Sequence, residues 1–328
     1  MDEYSIIYSG VANIITDIAQ SEKVAPPRER DEAPPVALIN PERPDERIFT
    51  FSFASGHHPI VRHTMELMDA LLLRTLYRPF MRFLPATLER VAIAVPGLPA
   101  HLNGFSAVQM SDIHHSQTVP IAVIEQAVET ANKAQPEAIF LTGDFVTNDL
   151  TYMAACARAL GRLSAPLGVF AILGNHDYWT DPAEVTRQLE ANGITVLINE
   201  ARRLAGGLWV AGIADAWSGQ PDLQKALAAV PRSDHVILLA HEPDFADQAQ
   251  GRGIALQLSG HGHGGQVHLP FTRRPVLPFL AWKYYAGLHR VGDLWVYTNR
   301  GLGTMLPPFI FTCRPEVTLL RLVAGGSA

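Results

Sequence analysis

The sequence predicts an α/β domain in the part of the chain that follows Phe105. Short apolar runs alternate there with helical patterns, which is typical of domains in which helices cover a β-sheet. Several of these runs end in clusters of polar residues. With 328 residues, of which 48% are hydrophobic and 18% charged, the chain is long enough to bury a large core. We therefore expect one sizeable globular domain with a polar site at the strand ends.

Nine apolar runs are short enough and rich enough in β-branched residues to be strands. In chain order they are Phe105–Met110, Ala138–Thr142, Gly168–Leu173, Ile194–Ile198, Leu208–Ile213, Val236–Ala240, Ala255–Ser259, Leu294–Thr298 and Val317–Leu322. Helices fit between several of them. Pro120 precedes an apolar series with helical spacing, and Asp181 with Pro182 forms a capped helix start that Gly193 would end.

The segment before this domain has a different composition. Residues 1–60 contain repeated prolines with mixed charges, which predicts an N-terminal arm that is partly extended or flexible. Residues 61–100 combine apolar residues at helical spacing with a face of arginines, which predicts an amphipathic helical segment and a lead-in strand. The chemistry is then expected in a domain over residues 101–324.

Charge and cysteine content exclude several classes of protein. A net charge of -6 gives no general attraction to nucleic acid, so no specific nucleic acid partner is predicted. Cys156 and Cys313 lack metal-ligand spacing. The acidic start lacks the features of a secretory signal, and prolines interrupt the longest uncharged stretch. We therefore expect a cytoplasmic protein without a membrane span, with peripheral contact to the inner membrane as an alternative.

Polar clusters follow five of the predicted strands. Because ligands bind at the carboxyl ends of strands in open α/β folds, we expect these clusters to converge. They contain seven candidate metal ligands: Asp112, His114, Asp144, Asn175, His241, His261 and His263. Each fragment alone could be an ordinary turn. Together, their oxygen and nitrogen atoms suit two divalent ions that share a carboxylate, with Mn favoured over Fe, Zn, Co or Ni.

In this order, the motifs resemble the signature of the calcineurin-like metallophosphoesterases over about Leu102 to Leu322. The matching fragments are Asp112-x-His114, Gly143-Asp144, Gly174-Asn175-His176-Asp177, His241 and Gly260-His261-x-His263. Two further phrases, Gly264-Gly265-Gln266-Val267 and Arg300-Gly301-Leu302-Gly303, are similar to the bacterial YkuE/YaeI-like phosphodiesterase branch. The resemblance implies a four-layer sandwich of two mixed β-sheets flanked by helices, with two metal ions at one rim.

The resemblance also implies a role for each site residue. One ion would be bound by Asp112, His114 and His263, the other by Asn175, His241 and His261, with Asp144 bridging them. His176 would be catalytic beside the substrate phosphate and oriented by Asp177. His115 would either touch the phosphate, together with Asn175 and His176, or only support its neighbours.

These roles describe a phosphodiesterase in which a metal-bridging hydroxide attacks phosphorus in line. The alternatives are a phosphomonoesterase or nucleotidase with the same centre, and a non-catalytic metal-binding scaffold. The scaffold is disfavoured because His176 and every predicted ligand are present. The turn Phe145-Val146-Thr147-Asn148 differs from that of protein phosphatases, so a phosphoprotein substrate is not expected.

Two segments bear on the substrate. Residues 62–83 and 271–285 combine cations with aromatic or aliphatic side chains, which suits a membrane interface. Peripheral membrane or lipid contact is therefore one interpretation of these segments. The family resemblance adds a lipid-linked or nucleotide phosphodiester or pyrophosphate as one candidate substrate, because some relatives of this branch cleave the pyrophosphate of a nucleotide-linked diacyl-sugar. The alternative is that the first segment packs on the sheet or on a second subunit, and that the second is a covering loop.

Overall fold

The structure is a computed structural model that describes residues 85–266, 275, 277–304 and 314–325. It also describes the backbone of an antiparallel pair of strands, β1 (Val36–Asn40) and β2 (Arg43–Phe51). The predicted amphipathic helix at residues 62–84 lies outside the described residues, as does the rest of the predicted arm.

The first large sheet has six strands in the order β3-β14-β4-β5-β6-β7. Their bounds are β3 (Thr87–Pro96), β4 (Ser106–Met110), β5 (Ala138–Thr142), β6 (Val169–Ile172), β7 (Thr195–Val196) and β14 (Glu316–Gly325). Strands β4 to β7 are parallel, whereas β14 runs antiparallel to β4 and parallel to β3. The carboxyl ends of β4, β5 and β6 therefore meet at one edge of this sheet.

The second large sheet has six strands in the order β12-β13-β11-β10-β9-β8. Their bounds are β8 (Glu200–Ala205), β9 (Leu208–Gly212), β10 (His235–Leu239), β11 (Leu256–Ser259), β12 (Gly287–Val291) and β13 (Leu294–Thr298). The four inner strands are parallel, and β8 and β12 close the two edges in the antiparallel direction.

The helices lie outside the two sheets. They are α1 (Ile121–Lys133), α2 (Met153–Leu160), α3 (Asn175–Thr180), α4 (Pro182–Glu190), α5 (Leu223–Leu227) and α6 (Ala246–Ala249). Four 3₁₀ turns are described at Ala100–Leu102, Leu150–Tyr152, Pro243–Phe245 and His263–Gly265. Among the described residues, no helix has the length and apolar character needed to cross a membrane.

Three apolar clusters hold these layers together. One packs α1, α2 and α4 on the first sheet, and another packs α5 and α6 on the second sheet. The third lies between the sheets and includes Phe140, Ile172, Leu239 and Leu258, all at most 1% exposed. Burial of such side chains stabilises the sandwich by about 2 kcal/mol each. The predicted four-layer arrangement of two mixed sheets between helices is confirmed.

All nine predicted strands are present, although the run at 194–198 keeps only Thr195 and Val196 in the sheet. The sequence patterns missed β8 and β12, because both are edge strands with charged, exposed positions. The predicted helix start at Asp181 is confirmed, since its side chain accepts a hydrogen bond of 3.0 Å from the Glu184 N–H.

Candidate metal centre

The predicted ligands lie at the carboxyl ends of strands from both sheets. In the first sheet, Asp112 and His114 follow β4, Asp144 follows β5, and Asn175 begins α3 after β6. In the second sheet, His241 follows β10, and the other two histidines follow β11. All seven side chains are buried. The two sheets therefore bring every sequence-predicted ligand to one rim of the sandwich.

Among the described residues, three groups of side chains could each hold an ion, and two of these groups contain only predicted ligands. Asp112, His114 and His263 form the first group, and Asp144, His241 and His261 form the second; within each group, one candidate ligand atom per residue lies within 4.8 Å of the others. Asp144 Oδ2 lies 3.2 Å from His241 Nε2 and 3.5 Å from His114 Nε2. Its carboxylate thus lies between the two groups.

The rim is held together by direct contacts across the sheets. The backbone N–H of His261 donates to both carboxylate oxygens of Asp112, at 2.9 and 3.1 Å. His263 Nε2 lies 3.4 Å from Asp112 Oδ1 and 3.2 Å from His114 Nε2. Each pair joins a residue of the first sheet to one of the second, so the groups depend on the packing of the whole domain.

The backbone at the rim is strained. Five of the seven predicted ligands have a positive φ: Asp112 (48°), His114 (46°), Asp144 (58°), His261 (66°) and His263 (45°). This region costs a non-glycine residue about 1–2 kcal/mol. Strain of this kind persists where the surrounding structure enforces it, and it clusters at functional sites.

Two glycines lie so close to the carboxylates of the centre that a side chain at either position would clash with them. A Cβ at Gly174 would lie 2.3 Å from Asp144 Oδ1, and a Cβ at Gly260 would lie 2.2 Å from Asp112 Oδ2. A larger residue at Gly174 would displace the Asp144 carboxylate, and one at Gly260 would displace Asp112 together with Ser111, whose Oγ would lie 1.9 Å from the Cβ. The predicted need for glycine beside the ligands therefore has a steric cause at these two positions.

Backbone carbonyls orient two of the imidazoles. His241 Nδ1 lies 2.6 Å from the Thr142 carbonyl oxygen, and His261 Nε2 lies 2.8 Å from that of Phe279. A carbonyl accepts a hydrogen bond, so the ring nitrogen beside it carries the proton and the other nitrogen keeps its lone pair for the centre. Among the described residues, the buried Asn175 Oδ1 has no hydrogen-bond partner. This donor set of carboxylates, an amide oxygen and imidazoles fits divalent ions.

The charges at the centre are coupled. Burial lowers the pKa of His114 well below its usual value and that of His261 to about 4, so both imidazoles are neutral and able to bind a cation. Burial acts in the same direction on His241, but the charge of Asp144 and its hydrogen bond raise that pKa well above its usual value. An ion bound to the His241 nitrogen that faces Asp144 would replace a proton on that nitrogen.

The structure corrects the expectation that Asp177 orients His176. The Asp177 carboxylate accepts hydrogen bonds from the N–H groups of Asp144, Phe145 and Gly174, at 2.8, 2.9 and 3.0 Å. His176 Nδ1 instead lies 2.6 Å from the Thr147 carbonyl oxygen. The Asp177 carboxylate is thus occupied by the backbone turns that carry Asp144 and Asn175.

The pKa directions at these two residues have opposite signs. Burial and the neighbouring charge of Asp144 raise the pKa of Asp177 to about 7, against the N–H groups that lower it. Burial lowers the pKa of His176.

His115 is buried, and its Nδ1 lies 2.8 Å from the Val119 carbonyl oxygen. Of the two roles predicted for His115, this contact fits the one in which it supports its neighbours.

Sequence reasoning missed the residues that hold the loops around the centre. Glu242 accepts hydrogen bonds from the N–H groups of Ala216 (3.0 Å) and Trp217 (3.2 Å), and Asp215 accepts one of 2.6 Å from Ser218. Both carboxylates are buried and lie directly after β9 or β10. Their positions after apolar strands were the available signal, as for the predicted ligands.

Comparisons with known proteins agree with this geometry. A sequence model of the calcineurin-like phosphoesterase family matches residues 105–265. The chain is 36% identical over 232 residues to the uncharacterized metallophosphoesterase YkuE of Bacillus subtilis, covering 69% of this chain and 81% of YkuE. It is 34% identical over 227 residues to phosphodiesterase YaeI of Escherichia coli, covering 67% of this chain and 82% of YaeI. The predicted relation to both proteins is confirmed.

A relative also occurs outside bacteria. The chain is 34% identical over 255 residues to a transmembrane protein with metallophosphoesterase domain of Danio rerio, covering 73% of this chain and 57% of that protein. The bacterial relatives are covered over most of their length, and the family match spans the residues gathered at the rim. The chain belongs to the calcineurin-like phosphoesterase family and is a hydrolase of phosphoester bonds.

Proposed function

We propose that this chain is a phosphodiesterase with two divalent metal ions. The observation that carries the proposal is the position of Asp144, whose Oδ2 lies 3.2 Å from His241 and 3.5 Å from His114. These histidines belong to different groups of candidate ligands. This position supports a carboxylate shared by two ions, in a two-metal hydrolytic site.

The ligand assignment follows the two groups. Asp112, His114 and His263 would bind one ion, and Asn175, His241 and His261 the other, with Asp144 shared. When bound, two such ions would supply a water of lowered pKa as the nucleophile and would neutralise charge on the phosphoryl oxygens. Mn²⁺ is the favoured metal, with Fe, Zn, Co and Ni as alternatives, because the donors are oxygen and imidazole nitrogen.

His176 is the proposed catalytic side chain. Its hydrogen bond to the Thr147 carbonyl fixes the ring, and one ring nitrogen lies within 4.8 Å of ligand atoms of His114 and Asp144. From this position the imidazole is able to stabilise charge on the phosphate or to pass a proton to the leaving oxygen. Asp177 supports this arrangement through the backbone of the turn that carries Asn175.

A diester substrate is favoured by the similarity to YaeI, which is named a phosphodiesterase. We also propose a cytoplasmic location with peripheral contact to the inner membrane, which the basic, apolar composition of residues 62–83 supports. Sedimentation with anionic liposomes at low and high salt tests this contact. Failure to bind at low salt would remove it.

Hydrolysis by metal-stripped protein with added Mn²⁺ tests the proposed activity. The substrates are bis(p-nitrophenyl) phosphate and p-nitrophenyl phosphate, and the variants are His176→Ala and, as a control, His289→Ala. His289 lies on edge strand β12, where its ring Nε2 forms a hydrogen bond of 2.8 Å with the Ala286 carbonyl oxygen. We expect the diester to be preferred, and kcat to fall by about 10²-fold in His176→Ala with two ions still bound.

Two results would contradict the proposal. Preference for the monoester would indicate a phosphomonoesterase or nucleotidase with the same centre. Occupancy of one ion per chain in a fully active protein, measured by elemental analysis, would remove the two-metal arrangement.

A further inference from the structure

A row of aromatic side chains borders the metal centre. Trp179, Trp217, Phe279 and Trp282, here called the aromatic wall, are joined by ring contacts of 5.0, 5.8 and 5.4 Å between centroids. At one end Trp179 meets His176 at 4.8 Å, and Trp217 meets His261 at 5.8 Å. The wall therefore touches both the proposed catalytic side chain and a proposed metal ligand.

The wall is anchored by the domain beneath it. Trp179 lies on α3 three residues after His176, so the two rings share a face of the helix. The backbone N–H of Trp217 donates to Asp215 (3.2 Å) and to Glu242 (3.2 Å), both of which are buried. The backbone N–H of Trp282 donates to Asp244 Oδ2 at 2.8 Å. Buried carboxylates that follow strands of the second sheet thus hold the backbone of Trp217 and Trp282 in place in the absence of a ligand.

Trp179 is the exposed member of the wall. Its side chain is 44% exposed, although tryptophan is usually mostly buried. Its ring contacts with His176 and Trp217 are T-shaped, with interplanar angles of 61° and 82°, so neither neighbouring ring lies parallel to the indole. The exposed part of this indole, beside the proposed catalytic side chain, is available to a flat group of a bound phosphoester.

We propose that the aromatic wall binds a planar aromatic group of the phosphoester substrate, such as a nucleobase, stacked on Trp179. The inference rests on the proposed function, because it takes the phosphate to lie at the metal centre. An acyl chain fits less well: it gains affinity through long apolar contact, whereas the wall presents one exposed ring held by rigid neighbours. The wall would thus select substrates while the metal centre performs the reaction.

Calorimetry with Mn²⁺-loaded protein tests this by comparing the binding of two phosphates. The probes are adenosine 5′-monophosphate and ribose 5-phosphate, which share the phosphate and sugar and differ by the base. We expect the nucleotide to bind about 10-fold more tightly. Trp179→Ala should remove this difference and leave ribose 5-phosphate binding unchanged, while Trp179→Phe should retain part of it.

Trp295→Ala is the matched control. Trp295 lies on β13 under Arg290, with Nε1 donating to the Ala94 carbonyl at 2.8 Å, so its loss should leave the nucleotide preference unchanged. Phenyl phosphate and methyl phosphate distinguish any flat ring from a nucleobase. A larger gain from phenyl than from methyl supports stacking in general, and a gain confined to the nucleotide supports base recognition.

Three results would overturn the inference. The first is equal binding of the nucleotide and ribose 5-phosphate by the unaltered protein while diester hydrolysis is intact, which leaves the proposed function standing. The second is tighter binding of octyl phosphate than of the nucleotide, which would assign the wall to an acyl chain. The third is binding of neither phosphate, which would overturn the proposed function as well.

Discussion

The metal centre and the aromatic wall are neighbours that are built in different ways. Each predicted ligand of the centre lies within four residues of a strand end, is buried, and in five cases has a positive φ. The wall takes its rings from α3, from the loop after β9 and from the segment before β12. One of those rings is 44% exposed.

Under the proposed roles, this difference separates the chemistry from the choice of substrate. A centre held by strained turns tolerates little change, because each ligand is fixed by local backbone and by contacts across the sheets. A wall assembled from a short helix, a loop and a separate segment can vary without disturbing those contacts. We therefore expect substitutions in the centre to affect every substrate, and substitutions in the wall to affect only substrates that carry a flat ring.

Asp144→Asn should have the largest effect. It removes charge from the carboxylate that lies between the two ligand groups, so hydrolysis of the diester and of the monoester should both fall by about 10³-fold. Steady-state kinetics with both substrates measure this. Asp222→Asn, at the N-cap of α5, is the control and should retain full activity. Selective loss for one substrate would break the proposed separation.

Removal of the metal ions should have the second largest effect, by lowering the stability of the folded chain. Ions that bind only the folded chain stabilise it by about 2.7 kcal/mol at a concentration 100 times Kd, so chelation should lower the thermal midpoint. Trp179→Ala should show the same metal-dependent shift as the unaltered protein, measured by differential scanning calorimetry. A smaller shift in that variant would mean that the wall contributes to metal binding.

Gly260→Ala should weaken metal binding by about 10–100-fold, because its Cβ would lie 2.2 Å from Asp112 Oδ2. Gly251→Ala is the matched control. That glycine has a φ of +72°, and a Cβ at its position would meet no atom within 4 Å. The control should therefore lose about 1 kcal/mol of stability without losing metal. Elemental analysis after dialysis separates the two outcomes.

Trp217→Ala should have the smallest effect. It removes the ring that supports Trp179 edge-on, which is worth about 1 kcal/mol in such aromatic pairs, so the nucleotide preference should fall by about 5-fold. Hydrolysis of a diester without flat groups should change little. An equal loss with such a diester would indicate that Trp217 acts through His261 and belongs to the metal centre.

Sequence patterns predicted the centre better than its surroundings. Asp144 and His241 were predicted because each follows a short apolar run, and parallel strands bring such positions to one edge. The contact between His176 and the Thr147 carbonyl was not predictable, because every residue type has a backbone carbonyl and the sequence does not show which one will accept a hydrogen bond. The contact between Trp179 and His176 could be predicted from their spacing of three residues on one helix. Trp217 follows a strand of the other sheet, so its contact with Trp179 forms only when the two sheets pack together.

The order of strands has a consequence for biosynthesis. Strand β14 is the last described strand to be translated, yet it pairs with β3 and β4 inside the first sheet. Until it is synthesised, the facing edges of β3 and β4 are unpaired, and such edges are templates for aggregation. All seven candidate ligands leave the ribosome before the sheet that positions four of them is complete. A nascent chain stalled before β14 should therefore be a substrate for chaperones rather than a partly active enzyme.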